Sequence, residues 1–519
     1  MNARKNGADR LCDALLANDV DVCFANPGTS EMHFVAALDA KPELRCVLGL
    51  FEGVVTGAAD GYARMADKPA ATLLHLGPGL GNGLANIHNA RRGYTPMINI
   101  VGNHATYHRD LDAPLSSDVE TLARPMSAWV KSCDAAEDIA EDLNAAWQAA
   151  VSTPGVATLI LPADTAWSPA PDTPVTGATR PASAPFDAAV PDQVADALDK
   201  GLRVALLLDG PALRDGALRI AGRIKAGTGA RIMAPTSVAR IQRGAGRVPV
   251  ERIPYRIEMA RDFLDDVDVM VLIGAIAPVA FFAYPGQPSL PTRPDCRILQ
   301  LAAPGGDITG ALDALCITLD AKDATPEVSA PNLTARPADG PLTGESVTAV
   351  VARHLPENAI VVDESITTGW RFSGQAAGAP AHDMLDLTGG AIGIGLPLAA
   401  GAAIACPDRQ VVCLQADGSG MYTVQALWTH ARERLNVVTV VFANRSYATL
   451  HGEMGRVGVT DPGQNARRMM NLDDPAIDWV SMARAQGVDA AAAETVRGFE
   501  SALLDGLSRR GPYLIEARI

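Results

Sequence analysis

Short uncharged apolar runs return along the whole 519-residue chain, separated by amphipathic segments with helical spacing. Such runs are read as strands buried on both faces, because a half-exposed strand alternates polar and apolar positions instead. The first part of the chain offers Val20 to Ala25, Cys46 to Leu50, Ala71 to Leu74 and Met97 to Val101. Val204 to Leu208, Val269 to Ile273 and Arg297 to Leu301 follow, then Ala359 to Val362, Gln410 to Gln415 and Val437 to Phe442. Two proline-rich stretches, Ser168 to Pro191 and Ala321 to Pro341, interrupt the pattern and read as extended linkers, since proline stops helices and donates no ladder hydrogen bond. The expected fold class is α/β, with three consecutive doubly wound parallel-sheet domains at 1–170, 190–322 and 342–519. Ligands in such folds gather beyond the carboxyl ends of the strands.

Composition narrows the function classes. A 48% hydrophobic, 20% charged chain is globular rather than disordered. The net charge of −15, with no Lys/Arg block, argues against a nucleic-acid partner. The eight cysteines form no CxxC pair and sit mostly in apolar runs, which suits buried thiols in a reducing compartment. Met1 to Arg10 has no apolar signal region, so a cytoplasmic location is expected. Leu387 to Pro407 carries no charge, but five glycines and Pro397 break it up. A buried glycine-rich turn followed by a core helix is expected there rather than a membrane span.

The strand Val411 to Leu414 runs into Ala416-Asp417-Gly418-Ser419-Gly420, followed by an expected helix over Tyr422 to Arg434. The next strand ends at Ala443-Asn444-Arg445-Ser446. A right-handed strand–helix–strand unit sets its two strands side by side, which brings Asp417 near Asn444. One carboxylate and one amide oxygen suit an octahedral Mg²⁺ that keeps positions for phosphate, and a glycine turn aims free amides at an anion. Asp-Gly-Ser-Gly alone also fits an ordinary turn and helix cap. The pair resembles the motif of thiamine-diphosphate-dependent enzymes, with Ala416 replacing the family's first glycine. The resemblance implies thiamine diphosphate and Mg²⁺ as cofactors, with Asp417, Asn444 and the carbonyl of Ser446 as metal ligands and Gly418 and Ser419 beside the diphosphate. It further implies Thr367 at the diphosphate edge, the Gly390 carbonyl for the pyrimidine amine and Ile392 beneath the bend of the cofactor.

Phe51 to Arg64, ending Asp60-Gly61-Tyr62-Ala63-Arg64, is similar to the family's glutamate helix. Glu52 is therefore expected to activate the cofactor through its aminopyrimidine ring. Family members assemble this glutamate and the metal turn from different chains, so the resemblance implies a homodimer, commonly a dimer of dimers (a homotetramer).

The resemblance spans the chain and leans toward the benzoylformate decarboxylase and acetolactate synthase branches. Asn26 to Glu31 is similar to the decarboxylase loop, with Thr29 at the substrate-binding position. His75 follows the strand Ala71 to Leu74, where benzoylformate decarboxylase keeps a catalytic histidine that acetolactate synthases lack. The decarboxylase's second histidine aligns near Phe281, which makes the expected substrate pocket more apolar and benzoylformate itself a doubtful substrate. The expected reaction is decarboxylation of a 2-oxo acid to an aldehyde, with His75 relaying protons and carboligation as a side activity. An acetolactate-synthase-like carboligase and a catalytically silent binding or regulatory subunit remain as alternatives. The central block shows no GxGxxG and no convincing flavin signature, so FAD is not expected. His104 and His451 are left without a role.

Overall fold

The computed structural model describes residues 5–152 and 155–519. Three sheets follow one another along the chain. The first comprises β1 (Val22–Asn26), β2 (Arg45–Leu48), β3 (Ala70–Leu74), β4 (Met97–Asn103), β5 (Trp129–Ser132) and β6 (Val156–Pro162). Its order is β2-β1-β3-β4-β6-β5, parallel throughout. β3 is wholly buried because helices cover both faces of this sheet.

The central sheet holds β7 (Val204–Leu208), β8 (Arg231–Ala234), β10 (Glu251–Arg252), β11 (Val269–Ile273) and β12 (Arg297–Ala302), again all parallel. The intervening β9 (Ile241–Arg243) leaves this sheet for the third. There it joins β13 (Ile360–Glu364), β14 (His382–Asp386), β15 (Val411–Ala416), β16 (Val437–Ala443), β17 (Asp489–Ala493) and β18 (Tyr513–Arg518). The three parallel-sheet domains are as expected, with one antiparallel addition at the edge of the third: β9 pairs antiparallel with β14, setting Ile241 opposite Met384. The borrowed strand covers what would otherwise be an open sheet edge.

Residues between Pro169 and Ala189, and between Lys322 and Leu342, carry no named helix or strand, as their prolines require. The uncharged stretch after Leu387 forms a turn and then the buried helix Gly395–Ala405. Among the described residues no helix is long and apolar enough to cross a membrane. Of the eight cysteines, five are buried, while Cys46 is exposed.

One hydrophobic core is shared by the first and third sheets, and a second by the central and third. Helix Glu52–Ala66 lies against helix Gly395–Ala405 at backbone distance: a methyl group at Gly401 would come within 1.8 Å of the Ala58 carbonyl oxygen. Only glycine fits there. At the end of the Glu52 helix, the buried Arg64 guanidinium pairs with Asp60 through bonds of 2.7 and 2.6 Å. Its remaining nitrogen donates to the carbonyls of Asp386 (2.7 Å) on β14 and Ala239 (3.1 Å), on the segment that leads from β8 to β9, so one side chain ties the first block to the third sheet and to the crossover into it.

Candidate active site

The carboxyl ends of β1, β2 and β3 gather Thr29, Glu31, Glu52 and His75. Glu52 opens its helix after the extended Phe51 and is 7% exposed. Its Oε2 accepts a hydrogen bond from Asn82 Nδ2 at 3.0 Å. Gly79 brings Glu52 and His75 to one spot. A methyl group on it would lie 3.2 Å from Glu52 Oε1 and 3.3 Å from His75 Cβ.

Glu31 holds His75 in place. Its wholly buried carboxylate receives Gly28 N at 2.8 Å and Ser30 Oγ at 2.7 Å, and Oε2 lies 2.8 Å from His75 Nδ1. A carboxylate on Nδ1 keeps a proton there and leaves Nε2 as the nitrogen that exchanges protons. Thr29 is exposed, at the start of a short 3₁₀ turn over Thr29–Glu31, and it is Ser30 Oγ that lies near the ring, at 3.3 Å. His104, just past the end of β4, stacks on His108 at 5.4 Å, and its buried Nε2 has no partner among the described residues. Burial, then His108 and His75, lower its pKa. His451 is half-buried and pairs with Asn471 at 3.0 Å.

On the third sheet β15 and β16 are parallel neighbours, so Asp417 and Asn444 end adjacent strands. Asp417 is 3% exposed, and both of its oxygens take main-chain donors: Arg445 N at 2.7 Å and Gly418 N at 2.8 Å. Burial pushes its pKa up against those donors. A buried carboxylate held only by neutral N–H groups is costly unless a cation joins it, so this donor set fits a metal ion. Asn444 Oδ1 accepts from Ser446 N at 3.0 Å, and its Nδ2 donates to Thr368 Oγ1 at 3.2 Å. The sequence reading passed over Thr368; its neighbour Thr367 is exposed. The ring of Tyr447 packs over Gly418, and the Ser419 hydroxyl turns inward to Gln415 and the Ala416 carbonyl. The helix expected over Tyr422 to Arg434 needs correction. Helical backbone begins at Asp417 itself, passes through a 3₁₀ turn and resumes at Ala426–Arg432. It ends before Arg434, whose φ of +52° is left-handed.

The turn between β14 and helix Gly395–Ala405 carries Gly390 and Ile392. Gly390 has a φ of +77°, and the Phe281 ring lies over it: a methyl group there would be 2.7 Å from Phe281 Cζ. Phe281 meets Tyr255 at a tilt and Phe282 edge-on and is 51% exposed, so an aromatic wall from the central block borders this turn. Asn89 staples the turn to the first block. It donates to the Ala391 carbonyl at 2.7 Å and accepts from Gly389 N and Ala391 N, each at 3.2 Å. No local pattern marks Asn89, and in the loop Asn26 to Glu31 the resemblance points to Thr29 rather than to Glu31.

His75 and Asn89 sit at opposite ends of one helix, Leu76–Arg92. At 1.5 Å per residue the fourteen positions between them span about 20 Å. Glu52 lies along this helix rather than only at its His75 end: Asn82 reaches its carboxylate, and Asn86 donates to the Gly53 carbonyl at 2.7 Å while accepting from Asn89 Nδ2 at 2.9 Å.

Two family models match the chain. The thiamine pyrophosphate enzyme N-terminal TPP binding domain covers residues 5–123, and the C-terminal TPP binding domain covers residues 368–517. A Mycobacterium tuberculosis chain provisionally named acetolactate synthase large subunit IlvX is 50% identical over 98% of both chains. A Pseudomonas aeruginosa benzoylformate decarboxylase is 30% identical over 97% of both. Among solved structures, a Rhodococcus jostii thiamine diphosphate-dependent 4-hydroxybenzoylformate decarboxylase superposes with a TM-score of 0.85 over 99% of both chains. At 24% identity it speaks to fold alone.

Proposed function

The chain belongs to the thiamine pyrophosphate enzyme family, and on that premise we propose that it decarboxylates a 2-oxo acid to an aldehyde using thiamine diphosphate and Mg²⁺. Thiamine diphosphate, when bound, supplies a thiazolium carbon able to add to a keto group and accept the electrons released with carbon dioxide. Asp417, Asn444 and the Ser446 carbonyl would hold Mg²⁺. Main-chain groups of Gly418 and Ser419, with Thr367 and its neighbour Thr368, would face the diphosphate. Ile392 and the Gly390 carbonyl would receive the bend and the pyrimidine amine, and Glu52 would share a proton with the pyrimidine ring.

The observation that carries decarboxylation is the Glu31–His75 pair beside Glu52. A buried carboxylate orients the imidazole, leaving Nε2 to deliver a proton at the substrate carbon. Thr29 lies at the rim for the substrate, and Phe281 supplies an apolar wall, which favours an apolar side chain on the 2-oxo acid. A homodimer or dimer of dimers, with the site shared between two copies as the family resemblance implies, is part of the proposal. So are cytoplasmic residence and domains at 1–170, 190–322 and 342–519.

Carboligation onto a second carbonyl is the alternative, favoured by the 50% identity to a chain named as an acetolactate synthase subunit. Carbon dioxide release from a panel of 2-oxo acids, with and without an added aldehyde, decides between them. Decarboxylation is expected without acceptor; turnover only with acceptor supports the carboligase, and none in either arm supports a silent subunit.

A further inference from the structure

Glu364 ends β13 with its side chain turned into the protein and 1% exposed. Oε1 accepts from Gly393 N at 2.6 Å, and Oε2 accepts from Gly395 N, also at 2.6 Å. One carboxylate therefore grips the backbone just beyond Ile392. Gly393 has a φ of +97°, open to glycine but not fixed by it, so the posture of the segment is set by what holds its main-chain donors. A third donor, Gln415 Nε2, reaches Oε2 at 3.0 Å, and the same amide lies 2.7 Å from Ser419 Oγ. Ser419 Oγ in turn donates to the Ala416 carbonyl at 3.2 Å, at the threshold of Asp417. The fit is close, since a methyl group on Gly395 would meet Gln415 Oε1 at 2.3 Å. A hydrogen-bonded chain thus runs from the Ile392 turn, through Glu364 and Gln415, to the Asp417 turn. Burial raises the pKa of Glu364, and the donors from Gly395, Gln415 and Gly393 oppose that rise.

A buried carboxylate is an expensive way to cap a helix that a serine or threonine could cap at the surface. Its two oxygens do what a hydroxyl cannot, holding two main-chain N–H groups and a side-chain amide at once. We propose that Glu364 is a positioning residue that, with Gln415, fixes the Ile392 turn in the posture that receives the ring-bearing half of the cofactor. The inference rests on the thiamine diphosphate reading above. It assigns Glu364 to the bend rather than to the diphosphate, which the Asp417 turn meets directly.

Calorimetry on the full-length protein with Mg²⁺ tests it, using thiamine diphosphate as one probe and inorganic pyrophosphate, by competition, as the other. A parent chain that fails to bind thiamine diphosphate overturns the cofactor reading itself. Given parent binding, Glu364→Gln is expected to weaken thiamine diphosphate about tenfold, because its amide turns a donor toward other donors. Pyrophosphate should stay within about twofold, because Glu364 reaches the Asp417 turn only through Gln415, and Asp417 keeps its own main-chain donors Gly418 N and Arg445 N. Gln415→Met keeps the length of the side chain and removes one donor. It should show the same selective loss at about threefold, and it serves if Glu364→Gln does not fold. Unchanged thiamine diphosphate affinity, or equal losses for both probes, would show Glu364 to be general packing and overturn the proposal.

Discussion

Glu31 Oε2 stands 2.8 Å from His75 Nδ1 and accepts from Gly28 N at the same distance. The carboxylate is wholly buried while the imidazole keeps 21% of its side chain exposed, so the pair has a fixed end and a working end. Glu31→Gln keeps the shape but gives up the charge that holds the imidazole in one tautomer. Carbon dioxide release should fall about tenfold to a hundredfold, the range of a weakened proton transfer. Calorimetric affinity for thiamine diphosphate should not change; a parallel loss of binding would make Glu31 a fold residue instead.

A site shared between two copies leads to a second expectation. If each site takes Glu52 from one copy and Asp417 from another, Glu52→Gln chains and Asp417→Asn chains are each inactive alone. Co-expressed in equal amounts they should regain about one quarter of the parent activity, because half of the random dimers carry one intact site of two. Absence of any recovery in tagged, purified mixed dimers would place the whole site within one chain.

Arg64 links the first block to β14 and to the segment between β8 and β9 from the far end of the Glu52 helix. Arg64→Met leaves Asp60 buried without its partner and should cost about 3–5 kcal/mol, read as a fall in unfolding temperature or denaturant midpoint. Replacing Asp60 with Leu in the same chain should recover much of that loss. The Asp60–Arg64 end of the helix would then be a matter of stability, with the chemistry left to Glu52.

His430 lies on helix Ala426–Arg432, fully buried, with Nε2 2.9 Å from the Leu396 carbonyl. Burial lowers its pKa from 6.5 to about 4. A depressed pKa in the folded chain means that the unfolded chain takes up the proton first. The stability contributed by neutral His430 is therefore complete above pH 6.5 and is lost as pH falls toward about 4. Unfolding midpoints followed across that window should fall more steeply for the parent than for His430→Gln. His382, also pushed down to about 4, keeps part of the acid sensitivity in the variant.

What could be read from the chain beforehand follows from how local each signal is. β7, β11 and β16 stand out because Val, Leu and Ile fill strands covered on both faces. β17, spelled Asp489-Ala490-Ala491-Ala492-Ala493, has no β-branched residue, and β9 is only three residues long. Neither carries a periodic mark, and the antiparallel pairing of β9 is set by the open edge of β14 rather than by its own sequence. Asp417 and Asn444 are legible because the turn chemistry and the next strand end are neighbours in a strand–helix–strand unit. Asn89 grips Gly389 from 300 positions away, and Glu364 meets Gly395 and Gln415 only after the third sheet has formed. Such roles belong to the folded state.

Mg²⁺-dependent binding of thiamine diphosphate to the purified chain tests the central claim most directly. Calorimetric titration should show saturable binding with Mg²⁺ present, binding abolished by a chelator, and strong weakening in Asp417→Asn. A parent protein that takes up no thiamine diphosphate under any of these conditions would contradict the account.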